Sequence, residues 1–322
     1  MTAPESTSAA PESTTTAEGD TVAPRNKHEQ DDSRTPVTRR PRRGKLAAGG
    51  LLAPALLGLS ISFVLPVLWM IRMAFNEGAG SGVVIETFTL TTILDPLTDS
   101  YYWGVIWNTF SMGFVSALLC VIVSYPLALF LARTLSRWKG ILIAIALAPL
   151  LSSDVVRTYG WMVILAPDGI LNSALLSLGI ISEPLQLANS MPGVIIGLVQ
   201  IFMPYAILAM ISGFGRLNTQ LEEAASSLGA NRLTTFLRIT FPLSLPGILT
   251  AFLLIFVLSI STFVTPRLLG GGRVQVLATA IYDQTTELLN WPFAAALAVI
   301  LLLLFGTVVG LYQALTKKLE GE

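Results

Sequence analysis

The sequence predicts an all-α polytopic membrane protein, with six transmembrane helices behind a disordered N-terminal tail. Three observations carry this. Of 322 residues, 53% are hydrophobic and only 12% are charged, whereas a soluble domain carries about 25% charged residues. Mean hydropathy is +0.68. Six apolar stretches reach the roughly 20 residues that a helix needs to cross the hydrocarbon layer, at about 47–74, 105–132, 140–165, 191–213, 245–268 and 293–315. No alternating barrel pattern appears, and unpaired backbone groups are intolerable in lipid, so each span is read as a helix.

The tail comes first. Residues 1–45 are rich in Ser, Thr, Pro, Glu and Arg and almost free of large apolar side chains. Such a segment cannot bury enough area to offset its ordering entropy, so it is read as disordered. It ends in Arg39-Arg40-Pro41-Arg42-Arg43-Gly44-Lys45, a basic flank that suits a cytoplasmic anchor. A twin-arginine export signal is the rival. The apolar stretch from Leu46 to Phe75 is too long for a signal-peptide core, and further spans follow it.

Orientation follows from the basic residues. The tail, Arg133/Arg137/Lys139, Arg216/Arg232/Arg238 and Lys317/Lys318 fall on one side. Arg72, Arg157, Arg267 and Arg273 lie at or beyond the opposite ends of spans. The positive-inside bias then puts both termini in the cytoplasm. The loops at 76–104 and 166–190 hold no Lys or Arg but carry Glu77, Glu86, Asp95, Asp99, Asp168 and Glu183. Trp103, Trp107, Trp138, Trp161 and Trp291 lie near span ends, as an interfacial belt requires.

Composition also excludes functions. A net charge of zero gives no broad basic field for nucleic acid. The single cysteine, Cys120, rules out an internal disulfide and any Cys-rich zinc site. The single histidine, His28, lies in the tail, which removes His-based triads and two-His metal motifs. No Gly-x4-Gly-Lys-Ser/Thr loop is present to grip ATP phosphates. No catalytic residue, metal or cofactor is assigned. An intramembrane hydrolase would need paired Asp or a Ser/His set, and Asp154 stands alone.

The loop at 216–242, between the fourth and fifth spans, is the most informative stretch. It reads Asn218-Thr219-Gln220-Leu221-Glu222-Glu223-Ala224-Ala225-Ser226-Ser227-Leu228-Gly229. Thr219 and Glu222 make a capping box. Glu222 and Glu223 then lie in the first turn, where the helix dipole favours carboxylates. Gly229 is placed to end the helix in a left-handed conformation. Leu217, Leu221, Ala225 and Leu228 form one apolar stripe. A second helical stretch runs from about Asn231 to Ile239, before Pro242. This short amphipathic helix either enters a groove on a partner or rests on lipid headgroups.

Glu223-Ala224-Ala225, three residues, Gly229, nine residues and then Ile239-Thr240-Phe241-Pro242 resembles the EAA loop of ABC importer permeases. That pattern is Glu-Ala-Ala, x3, Gly, x9, Ile-x-Leu-Pro; Phe241 stands where Leu is usual. The resemblance implies the type I importer permease fold over 46–318. It implies that Glu222, Glu223, Ala224, Ala225 and Gly229 form a helix that couples to a separate cytoplasmic ATPase. It further implies a second permease subunit, related or identical, and an extracytoplasmic solute-binding protein, with lipid around the spans. Arg157-Thr158-Tyr159-Gly160-Trp161, Gly169-Ile170-Leu171-Asn172 and Phe263-Val264-Thr265-Pro266-Arg267-Leu268-Leu269-Gly270-Gly271 resemble the spermidine/putrescine branch. Ferric iron and opine permeases share much of that pattern. A secondary carrier is the rival class, but it usually has repeated halves and more spans.

Five residues are candidates for the translocation path. Asp154 and Arg157 lie at i and i+3 near one end of the third span. They either satisfy one another as a structural ion pair, or Asp154 meets a cationic solute. Gln200 either hydrogen-bonds between helices or lines the route. Trp161 and Tyr205 offer ring faces to an amine, or simply pack. Ser259, Ser261, Thr262 and Thr265 cluster in span five, where hydroxyls mostly bond their own backbone. Pro66, Pro126 and Pro204 are placed to kink helices, and Gly58, Gly113 and Gly197 to permit close approach.

Overall fold

The computed structural model describes residues 43–80, 82–214, 217 and 219–320. The expected tail lies outside them, apart from 43–45, which begin the first helix. By contacts the chain divides at Leu57/Gly58; apart from the first part of α1, the description that follows concerns the larger unit.

Helix α1 runs Arg43–Met73. A hairpin follows, β1 Glu77–Gly80 paired antiparallel with β2 Val83–Ile85, Glu77 opposite Ile85. The sequence reading did not anticipate this hairpin. Gly82 turns it with φ +81°, a region open to glycine because it lacks Cβ. Then come α2 (Thr91–Thr98) and α3 (Ser100–Arg133). Asp99 starts α3, its carboxylate accepting from the Tyr101 amide at 2.8 Å.

The third predicted span is not one helix. It is α4 (Lys139–Leu147), a tighter turn at Ala148–Leu151, and α5 (Asp154–Leu165). Pro149 has no N–H to offer the carbonyl one turn back, so the α-helical ladder stops there. Ser152 and Ser153 are extended, and Ser153 Oγ caps α5 by accepting from the Val155 amide at 3.3 Å. After a turn, α6 covers Ile170–Ser177. Helix α7 is Met191–Gly213, α8 Thr219–Ser227 and α9 Arg232–Thr235. A π-helical turn, Phe236–Thr240, leads into α10 (Phe241–Ser261). Predicted span five also divides, because Thr262 is extended and α11 (Val264–Leu269) is separate. Helices α12 (Leu277–Thr286) and α13 (Trp291–Glu320) complete the fold.

Among the described residues, five stretches are long and apolar enough to cross a membrane: Ser100–Arg133, Asp154–Ser177, Met191–Gly213, Arg232–Ser261 and Trp291–Ala314. Helix α1 adds a shorter apolar part, Leu57–Met73. Leu59, Phe63 and Trp69 on it are largely exposed. Contiguous apolar surface of this kind needs lipid or protein to cover it.

The core is a three-helix stack of α3, α7 and α10. Met112, Cys120, Leu198, Ile201, Ile255 and Phe256 are among its buried side chains. Small residues set the approach. A Cβ at Gly113 would lie 2.5 Å from Ile260 Cγ2, and one at Gly213 would lie 2.3 Å from Gly247 Cα. Gly197 is likewise closed, by Leu269, but Gly58 has open space around it, contrary to its expected role. Helices α1, α3 and α7 continue through Pro66, Pro126 and Pro204.

Candidate functional site

In the segment that joins α7 to α10, helix α8 ends as the sequence predicts. Gly229 has φ +84°. Its amide donates to Ser226 O and that of Ala230 to Ala225 O, each at 3.0 Å. That bond pair is a Schellman ending, which needs a left-handed residue at this point. Asn231 then starts α9, its Oδ1 accepting from the Thr234 amide at 2.7 Å.

Glu222 does something the sequence did not reveal. Its Oε1 accepts from Arg133 Nη2, at the end of α3, and from Thr240 Oγ1 at 2.6 Å; the other half of the expected capping box, the Thr219 side chain, lies outside the described residues. Arg133 Nη2 is also 3.3 Å from Thr240 Oγ1. These three residues border a cavity of about 460 Å³, with Ser226, Arg232 and Phe236. Glu223 and Ala224 are exposed and Ala225 is half-buried. Leu217 packs against the core, whereas Leu221, Leu228, Leu233 and Leu237 are exposed. The expected single stripe is therefore split between the two surroundings.

An aromatic cluster backs this segment. Tyr125 of α3 lies edge-on to Phe214, Phe236 and Phe241, with centroids 5.9, 6.1 and 6.4 Å away. Its hydroxyl is 3.1 Å from Ser244 Oγ.

Four of the five candidate path residues, Asp154, Arg157, Trp161 and Gln200, gather along the seam between α5 and α7. Asp154 and Arg157 form an ion pair. The Arg157 side chain is only 10% exposed and Asp154 57%. Arg157 Nη1 also donates to Ile201 O at 3.4 Å. Trp161 Nε1 donates to Gln200 Oε1 at 3.1 Å, so Gln200 bonds between helices. Tyr205 is not part of that set; it packs edge-on against Phe202 at 6.3 Å. Thr158 and Thr265 hydroxyls, 3.2 Å apart, join α5 to α11. Ser261 bonds its own backbone at Val257, as expected.

A second charged group escaped the sequence reading. Arg267 donates to Asp283 Oδ1 at 2.8 Å and to Glu287 Oε1 at 2.5 Å. Its guanidinium carbon lies 5.6 Å from the centre of the Tyr282 ring, which stacks on Phe263 at 5.3 Å. The i, i+4 spacing of Asp283 and Glu287 was the available signal.

Residues 100–320 match the family described as "Binding-protein-dependent transport system inner membrane component". The spermidine/putrescine transport system permease protein PotB of Escherichia coli (strain K12) is 33% identical, over 83% of this chain and 98% of that protein. PotB of Haemophilus influenzae is 32% identical, over 81% of this chain and 91% of that protein. Among solved structures, a chain of a bacterial alginate ABC transporter has a TM-score of 0.66 at 17% identity. That transporter is in complex with alginate pentasaccharide-bound periplasmic protein, and the match covers 86% of this chain and 96% of the other. At that identity the likeness concerns the fold.

Proposed function

This chain belongs to the binding-protein-dependent transport system inner membrane components, and from that membership we propose that it forms half of an ATP-driven import pathway for a polyamine. It is a permease subunit of an ABC importer and not an enzyme, in a multi-pass inner-membrane family. The observation that carries the solute assignment is the 33% identity to a spermidine/putrescine permease over 98% of that permease's length.

The geometry supports the way the machine is driven. Glu223, Ala224 and Leu228 lie on an exposed, well-terminated helix next to the core stack. A separate ATPase subunit gripping α8 would move α3, α7 and α10 together. A second permease, identical or related, closes the pathway, and an extracytoplasmic receptor delivers the solute. Both termini face the cytoplasm in this reading, as the sorting of basic residues requires.

The test is uptake by proteoliposomes holding the assembled complex, with ATP on the ATPase side. Labelled spermidine should accumulate only with ATP and be displaced by putrescine. Uptake that ignores ATP sinks the importer reading. ATP-driven uptake of a ferric or opine ligand, with polyamines inert, keeps the machine and removes the solute.

A further inference from the structure

Glu222 and Glu223 are sequence neighbours with opposite surroundings. Glu223 is exposed, while Glu222 is half-buried and engaged by two donors from two other elements. We propose that Glu222 is a positioning residue, the joint that fastens α8 to the end of α3 through Arg133 and Thr240. The proposal rests on the reading of α8 as the helix an ATPase drives, and it moves Glu222 out of the docking surface.

The backbone joins α8 to α7 and to α10, but nothing covalent joins it to α3. One carboxylate oxygen supplies that missing link by accepting from both Arg133 and Thr240. Charge-assisted hydrogen bonds of this kind are about twice as strong as neutral ones. Thr240 is only 2% exposed, so pulling Glu222 away would leave a buried hydroxyl without its acceptor. An ATPase that drew the Glu222 carboxylate away from α3 would impose that loss; one that gripped Glu223 or Leu228 would not. Tyr125, two turns earlier on α3, ties the same helix to Phe214, Phe236 and Phe241. With both ties in place, a push on α8 reaches all three helices of the core stack.

The experiment uses the full complex in proteoliposomes. Glu222→Arg should retain ATPase subunits at wild-type stoichiometry while solute moved per ATP hydrolysed falls about tenfold, within the coupling range of contacting pairs. Combining it with Arg133→Glu should bring that ratio back to within about threefold of wild type. Spin labels at Leu135 and Ser227, both exposed and neither assigned to the ATPase contact, give an independent readout. Their separation should stay fixed between nucleotide states in the wild type and broaden in Glu222→Gln. The proposal is overturned by loss of ATPase subunits from Glu222→Arg without rescue by the swap. An unchanged transport ratio, or a wild-type label distance that shifts with nucleotide, overturns it too. Wild-type uptake indifferent to ATP removes the importer reading itself and is seen before any variant is made.

Discussion

Two arginine–carboxylate pairs in this molecule share chemistry and differ in reach. Asp154–Arg157 closes within one turn of α5. Arg133–Glu222 spans 89 residues and crosses from α3 to α8. A local pair stabilises the helix it belongs to. A distant pair fixes the position of one element relative to another, and only that kind can carry a displacement. The contrast teaches that a charge in a membrane protein is read by what it connects, and less by its cost of burial.

The largest expected effect tests the exposed half of the coupling segment. Glu223→Lys reverses a charge on the surface we assign to the ATPase, so retention of ATPase subunits should fall by about a hundredfold in affinity, the scale for losing a charged interface partner. Folding should be untouched, because the residue is exposed. Binding-protein-independent assays of ATPase co-purification check this. Wild-type retention and uptake in this variant would mean that α8 is not the docking element, and the distinction drawn between Glu222 and Glu223 would lose its meaning.

What could be read in advance follows the same division between local and distant. The Gly229 ending, the Asp154–Arg157 pair and the helical character of the spans each depend on residues within a turn or two. The bond from Trp161 to Gln200 was legible as a need, since an amide in an apolar span wants a partner, but not as an address. The break at Ser152–Ser153 was hidden by hydropathy, which averages over the apolar residues on both sides and passes over Pro149. Arg133 and Thr240 were invisible as partners of Glu222, because no periodicity links the end of α3 to the start of α10. Gly113 and Gly197 were recognised by residue type; which neighbour closes on them required the packing.

A smaller effect is expected at the seam of α5 and α7. Asp154 is more than half exposed and its pair is local, so Asp154→Asn should cost about 1 kcal/mol or less of stability, the usual worth of an exposed ion pair. Arg157 keeps its bond to Ile201 O, which limits the damage. Spermidine uptake by the reconstituted complex should remain within about fivefold of wild type, the factor to which about 1 kcal/mol corresponds. A collapse of uptake in a normally folded variant would instead give Asp154 a direct role with the cationic solute. The two pairs would then differ in task and no longer in importance.

The finest comparison uses two glycines in the same strained region of backbone. Gly229 (φ +84°) ends α8, and Gly179 (φ +69°) follows α6; a Cβ at either would meet nothing within 4 Å. Steric clash is therefore equal at the two sites, and only the left-handed backbone penalises alanine, by about 1 kcal/mol. Gly179→Ala should lower the melting temperature slightly and leave transport per ATP unchanged. Gly229→Ala should cost a similar amount of stability, but it loosens the end of the helix that Glu222 anchors, so transport per ATP should also drop a few-fold. Gly229→Asn, which tolerates the left-handed conformation better, should fall between alanine and wild type. Equal transport by the two alanine variants would show that the geometry of α8 does not matter to coupling, and that the crossing ion pair holds the segment without directing its motion.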